Sequence, residues 1–313
     1  MKDSCGETGH VPAMLAEVLD ALRVRPDGVY VDCTLGGGGH AGAILERLSG
    51  GMLVCMDRDA EAVRRFAATA GSREGVVALH ANFADVAALW RERNFPAPDG
   101  ILYDLGVSST QIFGGRGFSF SSDEVLDMRY DAAERVPTAA DLVNSLSEGE
   151  LEKLFFRFGE RGAARRIARA IVRRRSSAPL KTTGDLVSAV AGAVRRRRSG
   201  THPATRVFLA LRALVNGELE ALERSLRDAV PLAAPGGRVA AISYNSCEDR
   251  VVKDVFRRAE RGCACALPPD ECLCEGASAG RTLCPKGLTP GAQEVFRNPR
   301  ARSARLRVFE RRR

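Results

Sequence analysis

Four consecutive glycines, Gly36 to Gly39, separate a short β-branched and aromatic run, Val29-Tyr30-Val31-Asp32, from a stretch with Ile44, Leu45 and Leu48 on one helical face. Glycine loses more conformational freedom on ordering than any other residue, so neither strand nor helix runs comfortably through four of them. The chain is therefore expected to turn there, from strand into helix, on bare backbone. Such a turn lets main-chain N–H groups and a helix N-terminus approach a nucleotide-type ligand closely.

The sequence after the turn keeps an alternating rhythm. Met52 to Met56 is a continuous apolar run, the pattern of a strand buried on both faces. Asp59 to Ala70 reads as a helix, Val76 to His80 as a third strand and Ile101 to Asp104 as a fourth. Strands separated by helices of this length predict βαβ units and a mainly parallel, doubly wound α/β sheet. From Phe113 to about Val215 no comparable strand occurs. Ala164, Ile167, Ala168 and Ile171 share one face of a helix over 163–175, with Arg165, Arg166, Arg169 and Arg173 opposite. Pro203 suits the first turn of one long helix carrying Val207, Leu211, Leu214 and Leu222. The strand pattern returns at Arg238 to Tyr244, after Pro235-Gly236-Gly237. Ser246 and Asp249 then read as a capping-box pair, and Leu306 to Phe309 as a last strand. The predicted organisation is an α/β domain of residues 1–112 and 216–313, interrupted by an all-helical domain of residues 113–215. No internal repeat is visible.

Charge marks the same interruption. The chain carries a net +8, yet 151–215 alone holds 16 Lys and Arg against three acids. That local excess of 13 leaves a net −5 for the rest. A basic module on an acidic remainder points to an anionic partner for the insertion. No run of 18 apolar residues exists, which excludes an apolar membrane helix. The first ten residues are polar, so no secretory leader and a cytoplasmic location are expected. Of nine cysteines, Cys263, Cys265, Cys272, Cys274 and Cys284 cluster late in the chain. Their C-x-C spacing and the lack of a nearby histidine favour free thiols over zinc, and no metal is expected.

The glycine loop by itself is ambiguous. Gly37, Gly39 and Gly42 fit the G-x-G-x-x-G dinucleotide fingerprint, so NAD and S-adenosylmethionine both fit. Asp57 closes the second strand about twenty residues on, where a carboxylate can accept from ribose hydroxyls. Asp104-Leu105-Gly106 closes the fourth strand, at the edge where such sheets place their sites. No Ser-Tyr-Lys or His-Asp hydride-transfer set is found, and a basic insertion sized for RNA suits a methyl donor better. S-adenosylmethionine is the preferred cofactor.

Motifs in one order along the chain then resemble a known family. They include Asp32-Cys33-Thr34-Leu35-Gly36 with Gly38-Gly39-His40, Met56-Asp57-Arg58-Asp59, and Asp104-Leu105-Gly106-Val107-Ser108-Ser109. Leu126-Asp127-Met128-Arg129, His202-Pro203-Ala204-Thr205-Arg206 and Asn298-Pro299-Arg300-Ala301-Arg302-Ser303 continue the series. The chain resembles the ribosomal RNA small-subunit methyltransferase H family across essentially its whole length. The resemblance implies a class I, Rossmann-like methyltransferase fold with an inserted helical domain. It also implies transfer of a methyl group from S-adenosylmethionine to N4 of a decoding-region cytidine in 16S ribosomal RNA, within the small subunit. By the same resemblance Gly38, Gly39 and His40 line the methionine and ribose side of the cofactor. Asp57 holds the ribose hydroxyls, Phe83 packs on adenine, and Asp104 and Gln111 close the site.

The match has departures. Where the family usually has Ser-Phe-His-Ser-Leu-Glu-Asp-Arg, this chain has Ser243-Tyr244-Asn245-Ser246-Cys247-Glu248-Asp249-Arg250. Asn245 would have to replace a histidine as a neutral hydrogen-bonding group toward the nucleotide. Asp104 is the only carboxylate of its run, so it is expected to fix the cofactor or to accept from N4, the former preferred. Arg166, Arg169 and Arg173 are candidate phosphate contacts, and His202 and Arg206 candidate substrate contacts. Arg195 to Arg198 read as a solvated helix face. Two other readings stay open: an NAD-dependent oxidoreductase, and a non-catalytic RNA-binding ribosome assembly factor.

Overall fold

A computed structural model describes residues 11–112, 114–194, 202–262, 271 and 276–312. Arg195 to Arg198 and four clustered cysteines (Cys263, Cys265, Cys272 and Cys274) lie outside the described residues. The chain divides into two compact units, one of Met1–Gly106 with Leu219–Arg313, the other of Val107–Glu218.

The strands are β1 (Val29–Asp32), β2 (Met52–Asp57), β3 (Val76–His80), β4 (Gly100–Asp104), β5 (Arg238–Ser243), β6 (Gly280–Thr282) and β7 (Arg305–Arg311). In chain order the helices are α1 (Leu15–Leu22), α2 (Gly39–Arg47), α3 (Ala60–Ala70), α4 (Val86–Glu92), α5 (Ser109–Ile112), α6 (Ala139–Ser145) and α7 (Glu148–Arg157). They continue with α8 (Ala164–Ser177), α9 (Thr183–Ala191), α10 (Thr205–Val215), α11 (Glu218–Leu232), α12 (Ser246–Glu260) and α13 (Ala292–Arg297).

The strands among the described residues all belong to the first unit and form one sheet, ordered β3-β2-β1-β4-β5-β7-β6. β1 to β5 pair in parallel, and β7 runs antiparallel to both β5 and β6. The order reverses at β1 and β4, so the carboxyl ends of these neighbours open the crevice in which doubly wound sheets bind ligands. Both sheet faces are covered. On one face Met14, Leu22, Ile44, Leu53, Leu102 and Leu306 are fully or nearly fully buried with α1 and α2. On the other, Val54, Ile101, Tyr103, Phe256 and Phe309 are buried with α4, α11 and α12. Burial on both sides explains why Leu53 to Met56 reads as an unbroken apolar run instead of an alternating one.

The second unit is held by its helix ends. Thr138 with Asp141, Ser147 with Glu150, and Thr182 with Asp185 form reciprocal capping boxes at α6, α7 and α9. Arg175 of α8 donates to the Val143 and Leu146 carbonyls at the end of α6. Arg129 makes paired hydrogen bonds to Asp127, while Asn216 accepts from the Tyr130 N–H and donates to the Met128 carbonyl. These bonds hold Met128, buried at a left-handed φ of 63°, in place.

Three local expectations are corrected. The single long helix after Pro203 is two, α10 and α11, because Gly217 adopts φ 59° after the Asn216 cap, a usual way to end a helix. The cap of α12 is Asn245, one residue before the expected Ser246. Its partner is Glu248, whose carboxylate accepts from the Tyr244 and Asn245 N–H groups. The short β6 and α13 have no counterpart in the sequence patterns, since three and six residues carry too little periodicity to read.

Candidate active site

Three strand ends of the first unit carry carboxylates or polar tips toward one place. Asp57 closes β2, and its two oxygens accept from backbone N–H groups. Oδ2 takes Gly36 N–H at 2.7 Å and Oδ1 takes Asp59 N–H at 2.8 Å. Gly36 and Gly38 stand at φ 51° and 77°, in the left-handed region that side chains rarely adopt. A methyl group on Gly38 would also lie 3.1 Å from the Phe66 ring, and one on Gly39 about as close to Pro12. The glycines are therefore required by conformation and by space. α2 starts directly on this turn, and its first-turn amides have no acceptor within the helix.

β1 and β4 contribute a second cluster. Asp32, 1% exposed, accepts from Thr34 N–H through Oδ1, and Thr34 Oγ1 accepts from Asp104 N–H at 2.6 Å. Burial pushes the Asp32 carboxyl up to about 6, against the pull of the nearby His40 charge. His40, itself 4% exposed, donates from Nε2 to the Ala13 carbonyl at 3.0 Å, which turns Nδ1 toward Asp104 Oδ2 at 3.4 Å. Burial works against a charged imidazole there, but the Asp104 hydrogen bond and charge, with Asp32 behind them, outweigh it and raise its proton affinity. On the other side the Tyr244 hydroxyl donates to Asp104 Oδ1 at 2.7 Å. Asp104 thus stands between an imidazole and a phenol, with its side chain still 18% exposed.

Phe83 follows β3 in a short 3-10 turn, half-buried, with its ring edge-on to Tyr103 at 5.8 Å. Its carbonyl accepts from Ser225 Oγ of α11, and that hydroxyl in turn accepts from Tyr103. Phe83 is therefore anchored through its backbone while part of its ring stays exposed. It is both core and available surface.

Gly38, Gly39, His40, Asp57, Phe83 and Asp104 all fall in the first unit. Gln111 belongs to the second, where it is buried and its side-chain carbonyl accepts from Ser108 N–H. Arg165, Arg166, Arg169 and Arg173 are exposed along α8 opposite the buried Ile167 and Ile171, with Arg169 sharing its charge with Glu148 at 3.4 Å. His202 is exposed, its ring 4.9 Å from that of Phe120, with Nδ1 accepting from Ala204 N–H. Two of the candidate substrate residues also make structural bonds. Arg206 donates to the Gly159 carbonyl and pairs with Glu160, fixing the turn before α8. Asn245 Oδ1 accepts from the Cys247 and Glu248 N–H groups as the α12 cap.

Asp32, Thr34 and Tyr244 join the site without having been singled out by sequence. Asp32 and Thr34 flank the glycine turn inside one of the family motifs, a signal that was available. Tyr244 is marked by a polar tip after an apolar strand, at a position where the family usually has Phe.

A model of the MraW methylase family matches residues 7–312. The chain belongs to that family. It is 47% identical over 308 residues to the ribosomal RNA small subunit methyltransferase H of Pelobacter propionicus, covering 96% of this chain and 98% of that protein. The relative of the same name from Thermomicrobium roseum is 45% identical, covering 97% and 94%. That from Acidiphilium cryptum is 46% identical, covering 98% of each. The chain is accordingly a methylase built on the doubly wound, mainly parallel α/β sheet described above, and the methyl donor is S-adenosylmethionine. The dinucleotide reading of Gly37, Gly39 and Gly42 gives way to it.

The residues of the methylase fit such a donor. Gly38, left-handed, and Gly39 leave no room for a side chain against Phe66 and Pro12, so the loop presents bare backbone. A carboxylate offers about four lone-pair sites, and the backbone N–H groups of Gly36, Arg58 and Asp59 leave Asp57 with capacity for a hydroxyl. Among the described residues no helix is long and apolar enough to cross a membrane.

Proposed function

We propose that this methylase transfers a methyl group from S-adenosylmethionine to N4 of a cytidine in the decoding region of 16S ribosomal RNA, as part of the small subunit. The observation that carries the reading is the joint engagement of Gly36 and Asp57 at the carboxyl edge of the sheet. It occurs in a chain matched end to end by relatives named for small-subunit ribosomal RNA.

When bound, S-adenosylmethionine supplies an electrophilic methyl group on a sulfonium. Gly38, Gly39 and His40 would hold its methionine and ribose side, Asp57 its ribose hydroxyls and the exposed part of Phe83 its adenine. The N4 lone pair of cytosine is delocalised into the ring, so holding the nitrogen in line is the main catalytic task. Asp104 is already engaged on both oxygens, by His40 and by Tyr244. That favours a fixed anion that orients the cofactor over a mobile base for the N4 proton. A paired cytosine hides N4, so the base must arrive unpaired or flipped. Arg166, Arg169 and Arg173 on the basic helical unit would hold phosphates, with His202 as a further contact.

Labelled methyl transfer onto isolated 30S subunits and onto naked 16S RNA, followed by nucleoside analysis, tests the reading. N4-methylated cytidine is expected. Label on any other position, or none with folded protein that binds S-adenosylhomocysteine, would overturn it.

A further inference from the structure

Tyr244 directly follows β5 beside the candidate site, and its hydroxyl reaches Asp104 at 2.7 Å. The ring is partly buried and packs against the buried face formed by α1, α2 and β1. Its backbone is tied as well, since Tyr244 N–H donates to Glu248 Oε2 at 2.8 Å. A phenol facing a carboxylate can only donate to it, and this one is held in line to do so.

We infer that Tyr244 is a positioning residue of the methyl-transfer site: with His40 opposite, its hydroxyl fixes the rotamer of Asp104 and hydrogen-bonds its carboxylate. The inference rests on the methyltransferase reading. Asp104 has three polar attachments that point it. Its own N–H donates to Thr34 Oγ1, Oδ2 faces His40 Nδ1 and Oδ1 receives Tyr244. Of these only Tyr244 and His40 touch the charge. Hydrogen bonds to a carboxylate favour its ionised form. The groups that face this pair are His40 on α2, Asp32 on β1, Glu248 on α12 and Glu294 on α13. Burial, followed by the charge of Asp104, pushes the Tyr244 phenol far up, so it stays a donor throughout the working range.

The test is the pH dependence of methyl transfer and of S-adenosylhomocysteine binding, measured on the full chain with two replacements at this position. Tyr244→Phe keeps the ring and deletes the donor. Its acid limb should move up by roughly one pH unit, the scale of a single charge-assisted hydrogen bond. Incorporation of 3-fluorotyrosine at position 244 makes the donor more acidic with little change of shape, and should move the same limb down. In an Asp104→Asn background neither replacement should alter S-adenosylhomocysteine affinity further. A wild-type enzyme that methylates and binds normally, beside variants with an unmoved acid limb, would overturn the role of Tyr244 alone. A wild-type chain that neither binds S-adenosylhomocysteine nor transfers label would instead overturn the reading on which it rests. Loss of folding in Tyr244→Phe leaves the fluorotyrosine shift to decide.

Discussion

Asp57 and Gly36 are joined by a 2.7 Å hydrogen bond from the glycine N–H to carboxylate Oδ2, across neighbouring strand ends. The residue expected to hold a ribose is therefore also the one that shapes the glycine turn. Burial raises its proton affinity, while the Asp59 and Gly36 N–H groups pull it back. With Asp57 in the proposed ribose role, changes at position 57 should be felt in both loop conformation and ligand binding.

Asp57→Asn keeps one oxygen but removes the charge and half the acceptor capacity. S-adenosylhomocysteine affinity should fall by at least about tenfold, since hydrogen bonds to a charged group are each worth roughly 1.5–3 kcal/mol. Titration calorimetry reads the change. Unchanged affinity would remove Asp57 from the cofactor site.

Asp32 makes stability depend on pH. Its folded value of about 6 stands above the ordinary 3.8 because burial disfavours the charge. The protonated form is the better buried one, so its contribution is full below about 4 and is lost as pH rises through about 6. Two pH units correspond to about 3 kcal/mol at most. His40, also raised, loses its contribution as pH climbs past its folded value, in the same direction. Asp32→Asn, which can still accept from Thr34 N–H, should therefore gain on the wild type between about pH 4 and 7. Denaturant unfolding at both pH values checks this, and a constant difference would refute it.

The arginine face of α8 should act through charge alone. Reversing Arg166, Arg169 and Arg173 to Glu is expected to weaken RNA binding. The slope of log affinity against log salt should flatten by about one for each phosphate no longer neutralised. S-adenosylhomocysteine affinity should not change. RNA affinity equal to wild type across a salt series would make these arginines a solvated surface.

Asn245 separates capping from substrate contact. Asn245→Ala removes the acceptor for Cys247 and Glu248 N–H and should cost about 1 kcal/mol of stability. Asn245→Asp should restore the cap. If Asn245→Ala leaves the melting temperature unchanged but lowers RNA affinity, the nucleotide role returns.

Much of this protein can be read along the chain. Continuous apolar runs at Met52 to Met56 and Val239 to Ile242 mark buried strands, because burial on two faces leaves no room for alternation. The glycine turn and Asp57 mark the strand edge proposed for the cofactor, and the charge excess in 151–215 sets the insertion apart. Tertiary structure decides what depends on groups distant in sequence. Asp104 meets Tyr244 across 140 positions only because β4 and β5 lie side by side, with Asp104 in register with Ile242. Sequence spacing carries no information about such a meeting. By sequence, Arg206 and Asn245 are equally free to touch RNA, yet in the fold Glu160 and the α12 amides occupy them. A polar side chain is recruited by whichever buried partner the fold brings within reach, and desolvation makes that partner costly to leave unmet. Periodicity and composition settled the layers of this fold, and the satisfaction of buried polar groups settled which side chains remain for chemistry.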